Sequence, residues 1–211
     1  TINGFSIDST SGFGISAQNS SNITITNNHV TNSGQQVSGQ TKSGIYLNTV
    51  RDSTVSGNTV DHNSSYGIYL NGSTRNLIKG NETFNNAQGF QRGASGIRLY
   101  NSTSNTVESN RTHNNEDSGI ESFTGASNNL IIDNVSYDNG DHGIDNYAST
   151  GQTILGNTVY HNVTAGINIE GGSTGATIAN NIRVDNGIAS PRTHSDSRVE
   201  HGSTAGTTMD Y

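Results

Sequence analysis

The chain has 211 residues, of which 28% are hydrophobic, 26 are glycine, one is proline and none is cysteine. Its formal charge of −7 and its scattered basic residues disfavour nucleic acid as a partner, because phosphate binding needs a basic stripe. No apolar run approaches the roughly 20 residues that span a bilayer. The lack of cysteine excludes a disulfide framework.

A Gly-Ile pair recurs through most of the chain. The pairs begin at Gly14, Gly44, Gly67, Gly96, Gly119, Gly143 and Gly166. Their spacing of 30, 23, 29, 23, 24 and 23 residues indicates a unit of about two dozen residues with two insertions. A fixed period of this length is typical of a solenoid.

A second strand in each unit carries Ile or Val, and an asparagine follows three residues later. These asparagines are Asn28, Asn58, Asn81, Asn110, Asn134, Asn157 and Asn181. A third short segment ends at another asparagine in six units, at Asn63, Asn86, Asn115, Asn139, Asn162 and Asn186. Asparagine suits such corners, because it tolerates left-handed backbone and its amide can bond to the amide of the next unit.

These features predict an all-β fold, a single-stranded right-handed parallel β-helix of about seven coils, each of roughly 23–24 residues. Apolar residues alternate within short runs, and glycine and asparagine interrupt the chain too often for helices. We expect residues 1–186 to form the β-helix and residues 187–211 to be an irregular tail or a last partial coil. Thr1–Asp8 matches Thr54–Asp61 place for place, so we expect N-terminal coils and a cap to be missing.

The Gly-Ile strands predict a functional face. Residues two and four places after each glycine should point outward, and equivalent residues should stack in adjacent coils. The stack would align Arg98, Glu121 and Asp145, with aromatic rings beside them. Sugars offer C–H faces to aromatic rings and hydroxyls to amides and carboxylates, so we expect substrate to bind to Tyr46, Tyr69, Tyr100, Phe123, Asn168 and Glu170. The alternative is a solvated sheet face with ordinary cross-strand pairs.

The corner before each Gly-Ile strand adds acids and one imidazole. The resulting catalytic candidates are Asp145, His142, Asp141, Glu121, Asp117, Arg98 and Tyr147. Crowded carboxyls raise one another's pKa, which can hold one of them protonated as a general acid. Alternatively, Ca²⁺ would bind to Asp117, Glu121, Asp141 and Asp145, since it takes six to eight oxygen ligands. Ca²⁺ is the one cofactor that we expect, and a lone corner histidine such as His142 is commonly structural.

Three functions fit these residues. In a lyase or C5-epimerase, Arg98 or Ca²⁺ would neutralise a uronate carboxylate, and His142 or Tyr147 would abstract the C5 proton. In a glycoside hydrolase, Glu121 with Asp145, or a second pair formed by Asp117 and Asp141, would supply acid and base. The third possibility is a non-catalytic structural, adhesive or tail-fibre rod. We favour an enzyme.

Across almost all 211 residues, the repeat resembles those of pectate-lyase-like carbohydrate-active proteins. Tyr137–Ile144, followed by Asn157–Asn162, is similar to coils of mannuronan C5-epimerases. Those enzymes carry a Tyr-Gly-Phe-Asp-Pro-His strand, where this chain has Ser95–Tyr100. A second resemblance is to polygalacturonases, which place paired acids one coil before a His-Gly pair, as Glu116-Asp117 precedes His142-Gly143 here. The resemblance implies a secreted or cell-surface protein with a polysaccharide or oligosaccharide partner, acting on uronates as a lyase or C5-epimerase.

Overall fold

A computed structural model describes residues 1–34, 42–88, 94–188, 190, 193 and 195–210. These residues form three parallel sheets, in which every third strand along the chain is a neighbour. The predicted all-β, right-handed parallel β-helix is confirmed. The insertions expected near residues 33–42 and 88–94 fall mainly on 35–41 and 89–93, which lie outside the described residues.

The first sheet has nine strands. They are β1 (Ile2–Asn3), β4 (Thr24–Thr26), β7 (Thr54–Ser56), β10 (Leu77–Lys79), β13 (Thr106–Glu108), β16 (Leu130–Ile132), β19 (Thr153–Leu155), β22 (Thr177–Ala179) and β25 (Thr208–Met209). The second sheet has eight. They are β2 (Ser6–Asp8), β5 (His29–Thr31), β8 (Thr59–Asp61), β11 (Glu82–Phe84), β14 (Arg111–His113), β17 (Val135–Tyr137), β20 (Thr158–Tyr160) and β23 (Ile182–Val184).

The third sheet, called here the Gly-Ile sheet, also has eight strands. They are β3 (Ile15–Gln18), β6 (Ile45–Asn48), β9 (Ile68–Asn71), β12 (Ile97–Tyr100), β15 (Ile120–Phe123), β18 (Ile144–Tyr147), β21 (Ile167–Glu170) and β24 (Ser197–Val199). The coil pattern continues past residue 186, because β24 pairs with β21 and β25 pairs with β22. A 3-10 helix at His201–Ser203 separates these two strands.

Inward side chains of the three sheets fill one core along the axis. The isoleucine of each Gly-Ile pair is buried, as are Leu47, Leu70 and Leu99 two places later. Fully burying one such side chain contributes about 1.5–3 kcal/mol. The glycine permits close coil stacking, since a Cβ on Gly143 would lie 2.6 Å from the carbonyl oxygen of Gly166.

Buried asparagines connect the coils at the corners, as expected. Along each predicted ladder, Nδ2 of one asparagine donates to Oδ1 of the next at 2.9–3.0 Å. A third ladder, which we did not predict, joins Asn76, Asn105 and Asn129 at 3.0–3.1 Å. These bonds satisfy buried amides that would otherwise destabilise the fold. Among the described residues, no helix is long and apolar enough to cross a membrane.

Candidate active site on the Gly-Ile sheet

The residues two places after each glycine stack in one column, called here the charged column. Arg98 is the register partner of Glu121, and Glu121 is the partner of Asp145. The next partners are Asn168 and then Arg198. Neighbouring strands lie about 4.8 Å apart, so the structure brings these five side chains into one line.

A second column runs beside the first, four places after each glycine. Tyr100, Phe123, Tyr147 and Glu170 are successive register partners. The Phe123 and Tyr147 rings stack with centroids 4.9 Å apart, and Tyr100 lies 6.2 Å from Phe123. These rings flank the acids of the charged column and shield them from water.

Arg98 lies between two rings and one carboxylate. Its guanidinium carbon is 4.0 Å from the Phe123 centroid and 4.8 Å from the Tyr66 centroid. Its Nη1 is 3.2 Å from Glu121 Oε2 and also donates to the Tyr66 hydroxyl. The side chain is 13% exposed. Partial desolvation strengthens such cation–π contacts to about 2 kcal/mol, and burial raises the pKa of the Tyr66 phenol.

Glu121 is only 4% exposed. Burial raises its pKa, while the nearby Arg98 and a 2.7 Å hydrogen bond from the Ser95 hydroxyl act in the opposite direction. The two partners favour the ionised carboxylate. Glu121 is therefore the member of the acid pair that is equipped to carry charge.

Asp145 is 7% exposed and has a different environment. Burial raises the pKa of Asp145 well above its usual range, and the negative charges of Glu121 and Glu170 raise it further. A hydrogen bond of 2.9 Å from Asn168 Nδ2 to Oδ1 only partly opposes this shift. The surroundings thus favour a protonated acid at Asp145 beside a carboxylate at Glu121, which is a division of roles typical of acid–base sites.

His142 is buried in the corner before β18. The backbone N–H of Ala165 donates to its Nδ1 at 3.1 Å. Asn168 Nδ2 lies 3.1 Å from Nε2, so a nitrogen donor faces each ring nitrogen of His142. Nε2 lies 3.6 Å from Asp141 Oδ1. These contacts hold the imidazole in place beside the acid pair.

The other predicted catalytic residues lie nearby with different exposures. Asp141 is buried and accepts a hydrogen bond from Thr164. Asp117 occupies the same corner one coil earlier and is partly exposed, and its carbonyl accepts from the backbone N–H of Asp141. Tyr147 is 38% exposed at the edge of the site.

Three potential metal ligands come together in the described part of the chain. Ligand atoms of His142, Asp145 and Glu170 lie within 4.8 Å of one another. Only Asp145 belongs to the four predicted Ca²⁺ ligands. Glu121 is engaged by Arg98 and Ser95, and Ca²⁺ prefers oxygen to imidazole. Calcium binding at Asp117, Glu121, Asp141 and Asp145 stays a prediction.

The predicted aromatic residues on the N-terminal side cluster with two that the sequence analysis missed. Tyr46 and Tyr69 have centroids 5.3 Å apart, Phe13 stacks on Tyr46 at 4.4 Å, and Tyr66 lies 4.8 Å from Tyr69. Tyr66 directly precedes Gly67, as His142 precedes Gly143. That shared corner position was a usable signal for Tyr66.

Arg198 was also missed as a site residue. It donates from Nη1 to Glu170 Oε2 at 2.7 Å and to Asn168 Oδ1 at 3.3 Å. Its coil lacks a Gly-Ile pair, so the repeat gave no alignment for it. It places a positive charge at the C-terminal end of the charged column.

Solved structures with this fold include carbohydrate-modifying enzymes. The chain is similar to a variant of the periplasmic alginate epimerase AlgG, with 18% identity and a TM-score of 0.73 over 94% of this chain and 48% of that one. It is similar to the Azotobacter vinelandii mannuronan C-5 epimerase AlgE4 A-module, with 13% identity and a TM-score of 0.69 over 90% and 56% of the two chains. A DFA-IIIase from Arthrobacter chlorophenolicus A6, without its lid, matches with 16% identity and a TM-score of 0.71 over 93% and 49%.

At sequence identities of 13–18%, the similarity to these structures shows a shared fold alone. The chain spans about half the length of these solved structures. No curated protein matches its sequence significantly. The family model described as the right handed beta helix region matches residues 1–95 and 43–202, nearly the whole chain. The chain therefore belongs to the right-handed β-helix family.

Proposed function

We propose that the chain is a carbohydrate-active enzyme that uses Asp145 as an acid and Glu121 as a carboxylate on the Gly-Ile sheet. The observation that carries this proposal is the pairing of these two residues on adjacent strands with opposite environments. Glu121 is held by a cation and a hydroxyl, whereas Asp145 is buried among acids and an amide. Such a pair supplies a proton and a negative charge at one sugar bond.

Hydrolysis of a glycosidic bond is the reaction that this pair supports best. Asp145 donates its proton to the glycosidic oxygen as that C–O bond breaks, while the Glu121 carboxylate bonds to the anomeric carbon. A water molecule, deprotonated by the Asp145 carboxylate, then releases the sugar and restores both groups. Glu121 and Asp145 are register partners on adjacent strands, and this retaining mechanism requires their carboxyl groups to be roughly 5–5.5 Å apart.

Proton chemistry at C5 of a uronate, as in a lyase or C5-epimerase, is the second candidate. Arg98 is the observation that favours it, because its guanidinium lies in the charged column beside Glu121 and could pair with a substrate carboxylate. Tyr147, exposed at the edge of the site, is then the candidate base. His142, whose ring nitrogen lies within 4.8 Å of an Asp145 carboxylate oxygen, is the alternative base.

The proposed partner is a polysaccharide or oligosaccharide that lies on the charged column and on the neighbouring column of Tyr100, Phe123 and Tyr147. We also expect the protein to be secreted or located at the cell surface. Calcium is a separate proposal. If the four acids form a calcium site, adding Ca²⁺ to protein treated with EDTA should raise the unfolding temperature. An unchanged unfolding temperature would contradict the calcium site without affecting the acid pair.

An activity screen tests the proposed function. The full chain is incubated with alginate, pectate and neutral polysaccharides, with reducing ends and unsaturated-uronate absorbance measured together. Hydrolysis produces reducing ends alone, a lyase produces both signals, and an epimerase exchanges the C5 proton with solvent. Asp145→Asn and Glu121→Gln should abolish the signal. Asp138→Asn, an exposed acid after β17, is the matched control. Absence of all three signals from folded protein would favour a non-catalytic rod.

A further inference from the structure

An unbroken run of ring contacts extends from the acid pair toward the N-terminal coils. From Tyr147 and Phe123 it passes through the Arg98 guanidinium to Tyr66. It continues from Tyr66 to Tyr69, Tyr46 and Phe13, with centroid separations of 4.8, 5.3 and 4.4 Å. Phe13 and Tyr46 precede the acid pair by several coils, so this run extends well beyond the reacting bond.

The second sheet carries another ring stack, whose geometry can be compared with that of the Gly-Ile sheet. Phe84, His113, Tyr137 and Tyr160 are register partners, with rings 4.8–5.1 Å apart and interplanar angles of 1–10°. Rings that are nearly parallel cover one another's faces. The described acids beside this stack make surface contacts, such as Glu82 with Arg111 and His113.

The ring cluster on the Gly-Ile sheet is arranged differently. Tyr46 and Tyr69 are inclined by 35°, and Tyr66 and Tyr69 by 45°. Inclined rings leave part of each face uncovered, and all three tyrosines keep part of their surface accessible. Asn71 Nδ2 donates to the Tyr46 hydroxyl at 3.2 Å, which fixes that ring in place. The cluster thus combines open ring surface with a fixed geometry.

We propose that Phe13, Tyr46, Tyr66 and Tyr69 form a binding platform for a long glycan, which lies parallel to the helix axis and extends from the acid pair toward the N-terminal coils. This inference rests on the proposed function, and it specifies the substrate as a polymer rather than a mono- or disaccharide. The pair Glu121–Asp145 lies four strands from Ile15–Gln18, about 19 Å at the 4.8 Å strand separation.

The chemistry of the platform indicates that its ligand is a glycan. Aromatic rings bind the apolar C–H faces of sugars, and tyrosine hydroxyls offer hydrogen bonds at the ring edge. Lys42 Nζ, 4.9 Å from the Phe13 centroid, adds a donor at the far end. The platform is continuous with the acid pair through Arg98, so one chain can occupy both. Sugars bound far from the reacting bond supply affinity that short substrates lack.

Binding to the inactive variant Asp145→Asn separates this inference from catalysis. The protein is run on native gels containing soluble alginate, polygalacturonate or a neutral β-glucan, and retardation is measured. We expect at least one polymer to retard it. Tyr46→Ala or Tyr69→Ala, added to Asp145→Asn, should weaken binding about five- to tenfold, as expected for one aromatic contact. Tyr46→Phe should retain most of the binding, because it keeps the ring.

Tyr160→Ala on the second sheet is the matched control, because it removes a tyrosine from a ring stack of parallel geometry. It should leave retardation unchanged. All variants are compared by thermal unfolding, and Phe13→Ala is the second variant if Tyr46→Ala does not fold. In the active protein, Tyr46→Ala should raise KM for polymer more than KM for a short oligosaccharide.

Three outcomes overturn the platform. In the first, Tyr46→Ala and Phe13→Ala bind polymer as tightly as the parent. In the second, Tyr160→Ala loses as much polymer binding as Tyr46→Ala. In either case, activity that depends on Asp145 would leave the proposed function intact. The third is a lack of retardation by every polymer, and if all activity is also absent, the proposed function fails together with the platform.

Discussion

Glu121 and Asp145 are register partners on neighbouring strands β15 and β18, and both are almost fully buried on the outer side of the sheet. Outward positions of a parallel β-helix are normally solvated. Here the rings of Phe123 and Tyr147 lie on one side of the acids and the corner residues Asp141 and His142 lie on the other. The burial makes the two carboxyls chemically unequal, and the predictions below depend on that inequality.

Replacing Asp145 by asparagine should abolish catalysis while preserving the fold. The amide keeps the shape of the side chain but has no proton of suitable acidity to donate, and loss of a general acid costs about 10²–10⁴-fold in rate. The measurement is kcat on the polymer that the wild type cleaves, with Asp138→Asn as control. Activity within twofold of wild type in Asp145→Asn would contradict the assignment.

The contribution of Asp145 to the stability of the protein should fall as pH rises above the unfolded pKa of aspartic acid, about 3.9. The pKa of Asp145 is raised in the folded state, so the folded chain binds the proton more tightly than the unfolded chain. The free energy of unfolding then decreases with rising pH until the folded pKa is passed. Glu121, whose pKa is also raised, acts in the same direction.

Denaturant unfolding at a series of pH values measures this effect. In Asp145→Asn the free energy of unfolding should decrease less steeply with rising pH, since the asparagine does not titrate. The comparison between the two proteins cancels the contributions of groups that do not interact with Asp145. Identical slopes would mean that Asp145 titrates normally in the folded chain.

Removing the positive charge of Arg98 should destabilise the fold. Arg98→Met leaves the carboxylate of Glu121 buried with only the Ser95 hydroxyl as a partner, and breaking a buried pair in this way costs about 3–5 kcal/mol. The double variant Arg98→Met, Glu121→Gln should recover much of the loss. Arg75→Gln, which breaks an exposed pair with Asp52, should cost about 0–1 kcal/mol.

Urea unfolding of the three variants tests that expectation. A loss for Arg98→Met no larger than that for Arg75→Gln would show that Arg98 and Glu121 are solvated. It would also remove the reason for assigning the ionised form to Glu121.

Arg198→Gln should lower activity by weakening the C-terminal end of the site. Arg198 holds both Glu170 and Asn168, and the amide of Asn168 donates to Asp145. Without Arg198, the Glu170 carboxylate loses its cation and Asn168 Oδ1 loses the donor that holds the amide in place. We expect about a tenfold fall in kcat/KM, from a charge-assisted hydrogen bond of roughly 1.5–3 kcal/mol. Arg198→Lys should recover part of it, and no effect in either variant would contradict this role.

The fold and the order of the two columns could be predicted from the sequence because each depends on a period. A Gly-Ile pair fixes the inward and outward sides of its strand, so Arg98, Glu121 and Asp145 had to stack. Arg198 was missed because its coil has no such pair and follows an irregular segment. The repeat that predicts the other strands carries no information about it.

The chemistry of the site depends on contacts that spacing does not encode. Burial of Glu121 and Asp145 comes from side chains of neighbouring coils and corners. The imidazole of His142 is held by the backbone N–H of Ala165 and the side-chain amide of Asn168, both one coil away. The Tyr46 and Tyr69 rings are inclined to one another, whereas the Tyr137 and Tyr160 rings are parallel. This difference in interplanar angle also depends on three-dimensional packing.

The stereochemistry of the first product tests the central claim most directly. Proton NMR of a cleavage reaction in deuterated buffer, followed before mutarotation, distinguishes the two anomers. A retained anomer, formed by wild type and lost in Asp145→Asn and Glu121→Gln, is the result that the acid–carboxylate pair predicts. An inverted anomer or unsaturated uronate ends from the wild type, or unchanged cleavage by both variants, would contradict it.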